Sequence, residues 1–187
     1  MGWMPVEEEP PEESGTLLVT RHNKLTGFRE VCVAQYWAVD KRFVVMRAGD
    51  VGIDLLGEVY MESIGGNKNS GQFFTPYHVS LVTARLTLPD AIDESKKLSL
   101  GEPTCGSGGM VIAAAQVLQE KGINYQRVLD VVCQDLDWTA VYMCYVQLSL
   151  LGVKAIVAQG NTLSEPYTAN HPKEKVFYTP AKRGLLI

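Results

Sequence analysis

One stretch constrains this 187-residue chain more than any other: Leu98 to Gln119, LSLGEPTCGSGGMVIAAAQVLQ. A short apolar run, Leu98 and Leu100, stops at an acid. The chain then turns through Glu102-Pro103-Thr104-Cys105-Gly106-Ser107-Gly108-Gly109, and an alanine-rich helical pattern begins at Met110. Strand, glycine turn and helix in that order bring backbone N–H groups close to a ligand and aim the positive end of the helix at it. The spacing disfavours a dinucleotide. That fingerprint needs Gly-x-Gly-x-x-Gly, and counting from Gly106 and Gly108 puts Val111 at the third glycine. Glu102, just before the turn, would repel a pyrophosphate but attract an ammonium. S-Adenosylmethionine carries an ammonium and no phosphate. Taken alone, the turn is equally well described as a tight connection with no ligand.

The residues that follow read as a doubly wound α/β arrangement. The helix from Met110 to Lys121 is ended by Gly122. Val128 to Cys133 (VLDVVC) is a buried strand with Asp130 as its exception, and it delivers Gln134-Asp135-Leu136-Asp137 to its carboxyl end. A carboxylate there can accept hydrogen bonds from both ribose hydroxyls, which singles out Asp135 and sets Leu136 against an adenine ring. Asp137 caps a helix from Trp138 that carries Val141, Cys144, Tyr145, Leu148 and Leu151. A third strand, Val153 to Gln159, ends in Gly160-Asn161-Thr162-Leu163. Asn161 suits a purine edge and an ordinary turn alike.

Upstream, Met1 to Gly15 is an acidic, proline-interrupted tail expected to stay extended and solvated. Thr16 to Thr20 reads as a strand. From Phe28 to Arg47 the apolar residues recur at mixed three- and four-residue spacing, which predicts helices with a break near Asp40. Val51 to Glu62 places Ile53, Leu56, Val59 and Tyr60 on one helical face. Residues 16–70 are therefore expected to form a mainly helical layer, and residues 71–187 the ligand-binding domain. Ile64 to Gly71 is a Gly/Asn/Ser connector, after which Thr75 caps a helix with Pro76 in its first turn.

With 46% hydrophobic and 20% charged residues the composition is that of a globular protein, and the net charge of -4 lacks the basic footprint of an independent nucleic-acid binder. Cys32, Cys105, Cys133 and Cys144 show no Cys-x-x-Cys spacing and read as free thiols in a reducing cytoplasm. His22, His78 and His171 make no metal-ligand pattern with them and read as surface or turn residues, so no metal is expected. No run reaches the roughly 18 to 20 apolar residues of a membrane span. Ser107 is not a hydrolase nucleophile of the Gly-x-Ser-x-Gly type, because Cys105 stands at the first glycine.

A second motif, Gly71-Gln72-Phe73-Phe74-Thr75-Pro76, precedes the glycine loop by a helix. The pair resembles the cofactor motifs of adenine-specific DNA methyltransferases, in particular the modification subunit of type I restriction-modification systems, from about Asp54 to Leu163. There a Gln-aromatic-Phe-Thr-Pro segment precedes an Asp-Pro-x-Cys/Ala-Gly-Ser-Gly-Gly loop. Glu102 stands where the family usually has Asp. The resemblance implies a Rossmann-like S-adenosylmethionine-dependent methyltransferase fold, and S-adenosyl-L-methionine as cofactor. It places Gln72, Phe73, Phe74, Thr75, Pro76 and Tyr77 along the methionine side, with Glu102, Thr104, Cys105, Gly106, Ser107, Gly108 and Gly109 in the loop. Asp135 and Leu136 then hold the adenosine, with Asn161 and Leu163 in the turn that reaches the adenine.

The family also carries Asn-Pro-Pro-Phe or Asn-Pro-Pro-Tyr after its fourth strand, where the Asn and a proline carbonyl accept hydrogen bonds from the target amino group. This sequence has no such motif; the nearest stretches are Glu165-Pro166-Tyr167, Asn170-His171-Pro172 and Tyr178-Thr179-Pro180. Lys175 to Thr179 is expected as a short fourth strand, with Thr179-Pro180-Ala181 at the motif's place. The sheet is accordingly expected to be partial. One flank is left for the N-terminal layer, the C-terminal tail or another subunit to cover, self-association or a hetero-complex is expected, and DNA is expected to be contacted with a partner subunit.

Overall fold

The computed structural model describes residues 15–22, 29–37, 42–47, 52–64 and 73–184. The chain divides into two units, Met1–Asp50 and Val51–Ile187. The first holds an antiparallel meander of β1 (Gly15–His22), β2 (Arg29–Trp37) and β3 (Arg42–Arg47), with Gly15 opposite Tyr36 and Cys32 opposite Arg47. The helices expected over 28–47 are thus replaced by two strands. REVCVAQYW and RFVVMR are rich in β-branched and aromatic residues, which lose side-chain freedom in a helix and favour a pleated surface. Runs this short fit either period.

The expected N-terminal helical layer reduces to one helix, α1 (Leu55–Ile64), and it belongs to the second unit. The division falls after Asp50, not at residue 70. Residues 1–14 of the acidic tail and the connector 65–72 lie outside the described residues. Next come α2 (Tyr77–Thr87), β4 (Leu98–Glu102), α3 (Gly109–Glu120), the short α4 (Tyr125–Val128), β5 (Leu129–Asp135), α5 (Trp138–Leu150), β6 (Lys154–Gln159) and β7 (Val176–Tyr178). The cap of α2 is Pro76, with no side-chain cap bond, so Thr75 stays outside the helix.

The sheet order is β4-β5-β6-β7. The first three strands are parallel, with Glu102 opposite Cys133 and Asp135 opposite Gln159, and β7 runs antiparallel to β6. The fourth strand is therefore on the far edge from β4. Thr179 has a structural task. Its buried hydroxyl donates to the Val153 carbonyl (2.7 Å) and accepts from the Ala155 N–H (3.0 Å), clamping the start of β6. Among the described residues no strand pairs with the outer edge of β4.

The core lies between α3, α5 and the sheet, where Ile112, Leu118, Leu129, Val131, Val141, Leu148 and Val157 are fully buried. Along β5 exposure alternates until Cys133, after which Gln134 and Asp135 are buried too. The strand therefore carries its polar end into the molecule. Asp130, the polar exception in the strand, pairs with Lys182. The alanine run of α3 is buried on a second side, where Ala113, Ala114 and Val117 meet Ala84 of α2. Small side chains permit that close helix–helix approach. Among the described residues no helix is long and apolar enough to cross a membrane.

Candidate functional site

The glycine loop leaves β4 and enters α3 through two left-handed residues, Gly106 (φ 52°) and Gly108 (φ 99°), a backbone that side chains other than glycine rarely adopt. Cys105 N–H extends the β4–β5 ladder by donating to the Gln134 carbonyl (2.9 Å). Asp135, the last residue of β5, accepts from Gly106 N–H at one oxygen (2.8 Å) and from Asp137 N–H at the other (3.0 Å). It latches the loop as well as facing the space above it. Phe74 closes the other side: a methyl group added at Gly106 would lie 3.1 Å from its ring, which stacks on Tyr60 with centroids 5.1 Å apart.

These elements enclose a cleft of about 270 Å³. The structure brings Phe73, Phe74, Thr75, Thr104, Cys105, Gly106, Ser107, Gly109 and Asp135 to its walls. Pro76 and Tyr77 line a neighbouring cavity of about 550 Å³ that shares Phe74 and Thr75. Gly108 lies beneath the loop, where an added methyl would stand 3.2 Å from the Cys144 sulfur. Glu102, Leu136, Asn161 and Leu163 do not line the cleft, and Gln72 falls outside the described residues. Asn161 makes an ordinary turn, its side chain accepting from Leu163 N–H (3.0 Å), while Leu136 and Leu163 are exposed. Asp137 caps α5 by accepting from Thr139 N–H (2.8 Å).

Three lining residues were not singled out by the sequence: Asp54, Ser80 and Met110. Asp54 is buried, caps α1 through Gly57 N–H (3.0 Å), and accepts from Gln147 Nε2 (2.8 Å) and from the Ser107 hydroxyl. Gln147 Nε2 also donates to the Ser107 carbonyl (2.8 Å), so one buried node ties α1, the loop and α5 together. An acid before an apolar helix signals a cap in the sequence, but nothing signals that the cap reaches a loop 53 residues away. Ser80 carries a fully buried hydroxyl without a hydrogen-bond partner at the cleft wall.

Two further findings concern polar groups below the surface. His171, read as a surface or turn residue, is buried, and its Nε2 lies 2.9 Å from the Gln159 carbonyl. Cys105, Cys133 and Cys144 are buried free thiols whose sulfurs lie within 4.8 Å of one another. Cys105 and Cys144 both donate to Cys133, which lowers the Cys133 thiol to about 6 and pushes the other two up. They form a soft donor set, although zinc would require a fourth ligand. Burial raises Glu102, a rise partly opposed by Thr104 N–H.

Two carboxylates, Asp54 and Asp135, line the cleft together with hydroxyls of Thr75, Thr104, Ser80 and Ser107, and among the described residues no Lys, Arg or His lines it. That donor set favours a ligand with positive charge over a phosphate. A family model described as N-6 DNA methylase matches residues 51–180. Among solved structures, a Listeria monocytogenes protein described as a class I S-adenosylmethionine-dependent methyltransferase is similar at 17% identity and a TM-score of 0.47, over 58% of this chain and 32% of its own. The DszA carbon methyltransferase is similar at 18% identity and a TM-score of 0.29, over 62% of this chain and 29% of its own. The chain thus spans about a third of the length of each, and scores this low carry no conclusion.

Proposed function

The chain belongs to the N-6 DNA methylase family, and on that premise we propose that it serves DNA adenine methylation of the type I modification class, with the cleft beneath Phe74 holding S-adenosylmethionine. The observation that carries this reading is the convergence of the Phe-Phe-Thr-Pro segment and the glycine loop on one cleft whose charged side chains, among the described residues, are acidic. The cofactor fits these residues: it is cationic, Asp135 would hold its adenosine, and the orphaned Ser80 hydroxyl would be available to one of its polar groups. When bound, it supplies an activated methyl group. The protein's part is to hold and shield. Asp135 and Gly106 fix the loop, and Phe74 walls the cleft.

A net charge of -4 supports DNA contact through a partner subunit. The exposed apolar stripe Val79, Val82 and Leu86 on α2, with the open edge of β4, supports association with that subunit or a second copy. Free thiols support a cytoplasmic setting. A second reading, a cofactor- or partner-binding homologue without chemistry of its own, is favoured by the missing Asn-Pro-Pro-aromatic motif. Calorimetric titration with S-adenosylmethionine of the wild type, Asp135→Ala and Gly106→Val tests the cleft: wild-type binding is expected, lost in both variants. Methyl transfer to DNA, measured with and without candidate partner subunits, separates the two readings. No binding by the folded wild type at millimolar ligand would refute both.

A further inference from the structure

Asp54 sits where a carboxylate is expensive to bury. It is 4% exposed, and among the described residues no cation pairs with it. The described ion pairs join Arg85 to Glu120, Lys96 to Asp93, Lys175 to Glu165 and Lys182 to Asp130, all elsewhere. Its partners are dipoles: Gly57 N–H, the Gln147 amide and the Ser107 hydroxyl. The surroundings are nevertheless shaped to keep it. A methyl group added at Gly57 would lie 2.3 Å from Asp54 Oδ2, and one added at Gly109 would lie 2.6 Å from it, so both glycines leave room for the carboxylate. Dipoles lessen the cost of burying a charge, and a fixed opposite charge lessens it much further. Asp54 lines the wall of the cleft and also borders the neighbouring cavity.

We propose, resting on the assignment of S-adenosylmethionine to this cleft, that Asp54 is the specificity residue by which the protein distinguishes the positively charged methyl donor from its neutral demethylated product. S-Adenosylhomocysteine keeps the adenosine, the ammonium and the carboxylate, but its sulfur is an uncharged thioether. A carboxylate in the wall of the cleft therefore favours the donor through one charge. Asp135, by contrast, has an N–H on each oxygen and marks the ribose side.

The test is calorimetric affinity for both ligands in the wild type, Asp54→Asn, Asp54→Ser and Ser107→Ala. Both neutral replacements can still cap α1. They are expected to lose about tenfold more affinity for S-adenosylmethionine than for S-adenosylhomocysteine, a difference worth about 1.4 kcal/mol. Ser107→Ala keeps the charge and removes a latch, so it is expected to weaken both ligands alike. A check independent of variants uses the wild type with an analogue bearing a protonated nitrogen in place of sulfur, which is expected to bind more tightly than S-adenosylhomocysteine. Equal losses of the two ligands in the Asp54 variants, or no preference for the charged analogue, would overturn the proposal while leaving the cofactor assignment intact. Absence of wild-type binding to either ligand removes the cofactor assignment, and the proposal with it.

Discussion

The loop after β4 and the turn after β6 both leave the carboxyl end of a parallel strand, yet they are built in opposite ways. Ser107, in the first, is 2% exposed and bonds Asp54 and Gln147, while the neighbouring Gly106 N–H donates to Asp135. Leu163, in the second, is 96% exposed, and its turn is held mainly by Asn161, whose side chain accepts from Leu163 N–H and whose carbonyl accepts from Ser164 and Glu165 N–H, with single bonds from Gly160 to Asp135 and from Thr162 to Pro103. A loop satisfied by buried polar groups keeps its shape before any ligand arrives, which lowers the ordering cost of binding. A turn satisfied locally and exposed outward keeps its apolar side chain available for something that approaches later.

The contrast can be broken most sharply at Gly57. Gly57→Ala drives a methyl group into the Asp54 carboxylate, and we expect a loss of about 3 kcal/mol in chemical denaturation, the upper part of the usual cost of overpacking. An unchanged denaturation midpoint would mean that the node is soft. Gln147→Leu is next. It leaves the Ser107 carbonyl, the Leu56 N–H and one Asp54 oxygen each short of a partner, with an expected loss of about 2 kcal/mol. In the outer turn, Asn161→Ala is expected to cost about 0.5 kcal/mol and Leu163→Ala to leave the melting temperature in place. A larger effect at either position would show that this turn is as strongly tied as the glycine loop.

The smallest expected effect is a slope. Burial raises the Glu102 carboxyl above its ordinary value of 4.5 in the folded protein. From about that pH up to its raised value, the folded state holds the proton longer than the unfolded chain does, so stability falls as pH rises. Glu102→Gln is expected to remove that slope from the pH dependence of unfolding. A slope that persists in the variant would assign it to another group.

The sequence by itself determined the β4–glycine loop–α3 unit, the strand and helix that follow, and the role of Asp137 as a cap. In each case the deciding signal is local: two glycines where φ is positive, a capping acid, apolar residues at one period over a long enough run. It also paired the Phe-Phe-Thr-Pro segment with the glycine loop through the resemblance those motifs carry. Only the tertiary structure decided the rest. β2 and β3 are strands because a hairpin neighbour completes their hydrogen bonds, a preference that short apolar runs do not encode. Val176–Tyr178 lies antiparallel on β6 because the buried Thr179 hydroxyl grips the start of that strand. Asp54 reached the cleft, and the three cysteines reached one another, through contacts between residues far apart in the chain, where no spacing rule applies. The spare positive charge that the cleft invites belongs to the same class: it arises from which side chains face one another, and only the fold arranges that.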